Sequence, residues 1–158
     1  MGRVEHYRNP DAPLPDRVVP AVFALVRDAS GRLLLVRRLD SGNWEPPGGR
    51  VDPGESAVHA VLREVEEESG LQVRVTSVSG VYCDPEHVLV YRSLGEVRQQ
   101  FAVYLHAEPV AGALRPDRVE TSAAAWFAVD DLDELPMTPV VRTRIEQGLH
   151  DAAVTHLG

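Results

Sequence analysis

The sequence predicts a single α+β domain, a mixed β-sheet with helices packed on both sides of it. Three observations point there. Apolar, β-branched runs of strand length recur at 17–28, 32–38, 71–82, 97–107 and 123–129, separated by turns rich in Gly, Pro and Asp. Two segments, 56–69 and 138–150, instead repeat their apolar residues at helical spacing. The 158 residues suit one domain, and they carry neither an internal repeat nor a linker that would divide it.

The elements follow in order. Residues 1–16 contain Pro10, Pro13 and Pro15 and are expected as an extended N-terminal arm. The domain proper is expected over 17–150, with 151–158 as a C-terminal tail. Arg17–Asp28 and Arg32–Arg38 flank the turn Asp28-Ala29-Ser30-Gly31 and read as a β-hairpin. Leu39–Pro53 holds Gly42, Pro46, Pro47, Gly48, Gly49 and Pro53 and reads as a loop. Ser56 is placed as an N-cap and Gly70 as the stop of the helix between them. Leu71–Tyr82 is a strand, and Cys83–Gly95 a polar loop with room for a short strand at 88–91. Strands are expected at Val97–Ala107 and Ala123–Val129, a helical turn at Asp130–Leu135, and a helix at Thr138–His150 with Val141, Ile145 and Leu149 on one side.

Composition removes several functions. Sixteen basic residues, all arginine, stand against twenty-four acidic ones, a formal net charge of −8. That balance argues against a protein that coats nucleic acid, which needs a basic face. No apolar run is long enough to span a bilayer, and the polar opening residues do not resemble a signal peptide. The lone Cys83 can form neither an intrachain disulfide nor a multi-cysteine zinc site, so a cytoplasmic setting is expected. The charge is uneven. Between Gly49 and Leu71 lie six acids (Asp52, Glu55, Glu64, Glu66, Glu67, Glu68) and two bases (Arg50, Arg63), which is half of the net charge.

On the first helix, Val58, Val61, Leu62 and Val65 form an apolar stripe expected to dock on the sheet. Glu64, Glu67 and Glu68 share another face, where Ala57 and Ala60 leave room for something to lie against the helix. Clustered carboxylates repel by about 0.2–0.5 kcal/mol per neighbouring pair, and near a helix C-terminus the dipole does not compensate. Arg63 reaches Glu67 at i+4 but cannot neutralise three acids. A divalent cation would, and oxygen ligands of this kind suit Mg²⁺ or Mn²⁺; a solvated acidic face is the plain alternative. Gly48 and Gly49 let backbone approach a ligand closely and offer an unhindered carbonyl. Glu55, just ahead of the helix, reads either as part of this cluster or as a simple cap.

Gly49, Glu55 and the run Arg63-Glu64-Val65-Glu66-Glu67-Glu68-Ser69-Gly70-Leu71 resemble the Nudix box at every defined position. The approach Trp44-Glu45-Pro46-Pro47-Gly48-Gly49 is also similar to that family's, except that Pro46 stands where an apolar residue is commoner. The resemblance covers about residues 17–150 and implies the Nudix fold, a mixed sheet sandwiched by helices. It implies Mg²⁺-dependent hydrolysis, with Mn²⁺ as a substitute, of the pyrophosphate bond in a nucleoside diphosphate linked to another group, whether a nucleoside triphosphate or an NDP-sugar. It also implies that Glu64, Glu67, Glu68 and the Gly48 carbonyl hold the metal, that Glu55 supports them, and that Arg63 orients a ligand glutamate. Glu120 is the candidate further base, with Asp84 and Glu86 as rivals; His87 and His106 read better as packing residues.

Phosphates would be held by arginines, Arg50 first and then Arg37, Arg38 and Arg98. Tyr82, Tyr91, Phe101, Tyr104 and Trp126 are available to stack on a base, though core packing accounts for most aromatics. None of the secondary signatures that mark substrate subclasses is intact. The alternative function is a catalytically inactive Nudix-fold module that senses a nucleotide. The expected partner is a small nucleotide, not nucleic acid or membrane. A homodimer is compatible with the resemblance, though no apolar stripe calls for one.

Overall fold

In the computed structural model, which describes residues 2–158, the first element is already paired. Arg3–Tyr7 (β1) lies antiparallel to His87–Tyr91 (β7), with Arg3 opposite Tyr91. The prolines expected to keep the whole N-terminal arm free act only after residue 9. Arg17–Val26 (β2) and Leu33–Arg38 (β3) follow. They do not form the expected hairpin: a single bridge, Arg27 to Leu33, joins them at the turn. Residues 21–26 are buried, so β2 needs partners for the backbone N–H and C=O groups on both edges, and the hairpin would supply only one of them. It finds them in Glu96–Gly112 (β8), parallel, and Gly48–Arg50 (β5), antiparallel. β3 belongs to a second sheet, between Trp44–Glu45 (β4) and Thr121–Phe127 (β9). The punctuated loop at 39–53 therefore contains two short strands.

The larger sheet runs β1-β7-β8-β2-β5, with Leu71–Tyr82 (β6) also on β8. His156–Leu157 (β10) pairs parallel with β6, so the tail is docked as well. Alternation along β2 divides the core into two. Ala21, Phe23 and Leu25 pack with Leu33, Leu35, Tyr104 and the helix Pro139–His150 (α2), below a 3₁₀ turn at Val129–Glu134. Val22, Ala24 and Val26 pack on the other side against the helix Ala57–Ser69 (α1).

Ser56 caps α1 by accepting from the His59 N–H, and Gly70 ends it with φ of 77°. A Cβ at Gly70 would lie 2.5 Å from the Ala113 carbonyl, so both conformation and space require glycine. The buried face of α1 is rotated from the expected stripe. Val58 is exposed, while Ala60 joins Val61 and Val65 in the core and Ala57 packs beside them. The alanines serve close helix–sheet approach rather than leaving space for a ligand.

Candidate active site

The main cleft, about 440 Å³, opens where α1 passes edge strand β5. Period-two alternation builds its floor from one face of the larger sheet. Arg3 and Tyr91 pair across β1 and β7, Arg98 and Gln100 come from β8, and Val19, Ala21 and Phe23 from β2. Gly48, Gly49 and Arg50 form one wall, with Glu64, Glu67 and Glu68 of α1 beside them, and Asp117 and Glu120 also border the cleft.

The two glycines set the distance between helix and strand. The Gly48 N–H donates to Glu68 Oε2 at 2.9 Å. A Cβ at Gly49 would lie 2.6 Å from Glu64 Oε1, so Glu64 occupies the space that a side chain there would fill. Arg63 is the hub of the cluster. Its Nε and Nη2 donate to Glu55 at 2.7 and 2.9 Å, and its Nη1 donates to Glu64 at 2.8 Å and Glu67 at 3.3 Å. Glu55 also accepts from the Asp52 N–H at 3.0 Å, which ties the loop to the helix. The helix cap itself falls to Ser56, not Glu55.

Electrostatics divide the carboxylates into two groups. Arg63 and the Asp52 N–H hold Glu55 down to about 2. Asp40 is buried enough to be pushed up, yet its bonds with Arg38 outweigh that and hold it at about 2. Burial raises Glu64, and raises Glu68, only 3% exposed, well above the usual range. Groups with depressed folded values stabilise the protein above about pH 4 and lose that contribution as pH falls toward 2; groups with raised values lose theirs as pH rises above about 5. The metal-free protein should therefore melt highest near pH 5, and lower on either side. Melting temperatures in a chelating buffer from pH 3 to pH 8 check this; a monotonic rise to pH 8 would contradict it.

Most residues singled out from the sequence meet in this cleft, with three corrections. Arg37 does not border it: its Nε donates to the Gly42 carbonyl at 3.0 Å, inside the 38–43 turn. Asp84 and Glu86 lie outside, Asp84 accepting from the Glu86 N–H and Glu86 pairing with Arg8, which leaves Glu120. Tyr82 and Tyr104 are buried against each other, so of the named aromatics Tyr91 is the one in the cleft. His87 is buried on Glu5, and His106 is also buried away from the cleft.

Arg50 is exposed and pairs with Asp52 at 3.1 Å. Arg38 is held by Asp40 and Glu45, and Arg98 by Glu96. The sequence reading missed Arg3, Gln100 and Asp117. Arg3 was hidden in the supposed arm, and Gln100 needed the strand register to show which way it faces.

Among the described residues no three His, Cys, Asp or Glu side chains already surround one metal-sized point. Arg63 stands between Glu64 and Glu67, and the Gly48 N–H holds Glu68. The donors are nonetheless hard oxygens, with Glu68 buried and Glu64 half-buried, and a divalent cation would relieve the cost of carboxylates placed there.

Carboxylates on a helix, a glycine-built strand edge and arginines thus meet in one cleft, a lining suited to a cation and an anionic ligand. Comparison with known proteins agrees. The NUDIX domain model matches residues 17–147, and the chain belongs to the Nudix family of pyrophosphohydrolases acting on nucleotide derivatives. A putative 8-oxo-dGTP diphosphatase of Bacillus subtilis is 47% identical over 140 residues, which cover 84% of this chain and 83% of that protein. A MutT-like protein of Streptomyces ambofaciens is 33% identical over 137 residues, covering 87% and 80%. Among solved structures, a MutT NUDIX hydrolase from Burkholderia pseudomallei superposes with a TM-score of 0.66 at 30% identity, covering 84% of this chain and 98% of that one. An ADP-ribose pyrophosphatase from Streptococcus suis, at 23% identity and a TM-score of 0.69 over 89% and 98%, shares the fold. Enzymes of this family generally need a divalent metal ion. No helix among the described residues is long and apolar enough to cross a membrane.

Proposed function

We propose that this chain hydrolyses nucleoside triphosphates, with Mg²⁺ as its natural cation and Mn²⁺ as a substitute. The observation that carries the reading is the single cleft in which the Glu64, Glu67 and Glu68 face meets Arg38, Arg50 and Arg98. Its volume is at the lower end for ligand sites, which suits one nucleotide better than two linked nucleosides. The name of the Bacillus subtilis relative, a putative diphosphatase of an oxidised deoxynucleoside triphosphate, points the same way.

Glu64, Glu67, Glu68 and the Gly48 carbonyl would hold the cation, which when bound lowers the pKa of water and stabilises charge on the attacked and leaving oxygens. Arg63 and Glu55 hold the ligand carboxylates in place. Glu120, exposed at the cleft edge, would take the proton from the attacking water as the bridging P–O bond breaks. Arg50, exposed at the rim, and Arg38 would hold phosphate oxygens. The cytoplasmic nucleotide pool is the setting this reading implies, for a monomer or a homodimer.

A panel of nucleoside triphosphates and NDP-sugars, assayed at mildly alkaline pH with Mg²⁺ and with Mn²⁺, tests it. The expected result is metal-dependent release of a nucleoside monophosphate and pyrophosphate, fastest from a triphosphate. Mg²⁺ should also raise the melting temperature by mass action. Binding of nucleotide with no product in hours would favour the sensing module instead.

A further inference from the structure

Between β8 and β9 the chain borders the cleft in a turn that side-chain packing does not hold. Val119 is 80% exposed, and Arg118 and Glu120 are exposed as well. Glu120 borders the cleft, yet its carboxylate has no hydrogen-bond or ion-pair partner among the described residues. A base without a side-chain partner can be aimed only through its main chain. We infer that Asp117 supplies that aim as a positioning residue, its carboxylate holding the main chain of Glu120 so that the Glu120 side chain stands at the cleft. The inference rests on Glu120 being the base and adds what places it.

Three features support it. Asp117 Oδ1 accepts from three successive N–H groups, those of Val119 at 2.9 Å, Glu120 at 3.0 Å and Thr121 at 2.9 Å. The Thr121 hydroxyl stands 3.0 Å from the same oxygen and 3.3 Å from the Glu68 carbonyl, and its one hydrogen can serve either. Burial would raise the Asp117 pKa, but these donors outweigh it and hold the group below the ordinary carboxylate value. Second, the turn is wound around that oxygen against a local preference. Arg118 has a φ of 63°, which residues other than glycine seldom adopt, and its N–H donates to the Thr121 carbonyl at 3.0 Å. Third, the turn is tied to two other parts of the cleft. The Glu120 carbonyl accepts from the Leu39 N–H at 2.9 Å, next to the Asp40 that holds Arg38, and Thr121 is fully buried against the Glu68 main chain.

Without the carboxylate the three N–H groups would turn to water, and nothing else would keep this turn in one conformation. A base must stand within hydrogen-bond reach of the proton it takes. A loosened Glu120 would therefore lose rate, while the groups that bind phosphate and cation stay where they are. The hold requires an acceptor oxygen at that place, not a charge. A direct role for Asp117 on cation or water would require the charge, and this separates the two.

Two measurements test it. Hydrogen exchange on the metal-free protein needs no substrate: in Asp117→Ala the amides of 119–121 should exchange at least about tenfold faster than in the wild type. Unchanged exchange would overturn the inference. The second is a double-mutant cycle in kcat, with Mg²⁺ and the fastest-cleaved nucleotide of the panel. Glu120→Gln should lower kcat by about 10²-fold or more. Asp117→Ala should lower it by about 10–100-fold with KM within about twofold, and Asp117→Asn, which keeps the oxygen, should retain most of the rate. In the Glu120→Gln background, Asp117→Ala should cost no more than about twofold further. If Asp117→Ala does not fold, Asp117→Ser, too short to serve all three amides, takes its place in both measurements. Additive losses, or an Asn variant as slow as the Ala variant, would mean that Asp117 acts directly and would overturn the inference alone. Wild-type kcat in Glu120→Gln would instead remove Glu120 as the base, and the inference with it.

Discussion

Replacing Glu67 with Gln should lower kcat by about 10²–10³-fold, the scale of one lost preorganised electrostatic contact in the transition state. The melting temperature of the metal-free protein should barely move. Glu67 has a side chain 56% exposed and only a 3.3 Å contact with Arg63, and exposed pairs of this sort contribute little. The substitution keeps shape and removes one charge from a crowded face. Steady-state rates with Mg²⁺ and melting curves in chelator together check it. Unchanged turnover would show that Glu67 holds no cation and would remove the proposed ligand set.

The second large effect separates two neighbouring glycines. A Cβ at Gly48 would lie 2.1 Å from the Val22 carbonyl and 2.7 Å from the Phe23 Cα. Backbone cannot yield as a side chain can, so Gly48→Ala should push β5 off β2 and cost about 3 kcal/mol or more. At Gly49 the obstruction is the Glu64 carboxylate, at 2.6–2.9 Å. That carboxylate can swing away. Gly49→Ala should therefore leave the fold nearly as stable but raise the metal concentration needed for half-maximal activity by about 10–100-fold. Denaturant melts and Mg²⁺ titrations of the two variants distinguish these outcomes. A Gly49→Ala enzyme with normal metal dependence would show that Glu64 need not stand where it does.

The carboxylate face of α1, its Ser56 cap and its Gly70 stop were all legible in the sequence, because each depends on residues within one or two turns of one another. So was the link from Arg63 to Glu67, which is a matter of helical spacing, although its bonds to Glu55, Glu64 and the Arg50 carbonyl were not. What stayed hidden depended on pairing between distant segments. Whether 17–28 and 32–38 form one hairpin or enter two sheets turns on β2 needing partners on both edges, and those partners lie some 25 to 80 residues away in the chain. Arg3 is the clearest case. Three prolines nearby suggested a loose arm, and nothing local indicated that five residues before them would join β7. Arg37 failed in the opposite sense. Its neighbour Arg38 borders the cleft, and strand alternation turns Arg37 to the other side.

The sheet floor and the helix wall have separate origins, and this bears on how the molecule can change. Most of the carboxylate wall comes from one continuous stretch, 48–68, cross-linked by Arg63, and Glu120 joins it from the segment before β9. The floor is drawn from four strands scattered along the chain, with β2 and β8 giving alternate residues and β1 and β7 one each. A substitution on the floor therefore leaves the reacting end untouched, while its neighbours in sequence point into the opposite layer. Floor positions can change one at a time while the 48–68 wall keeps its cross-links.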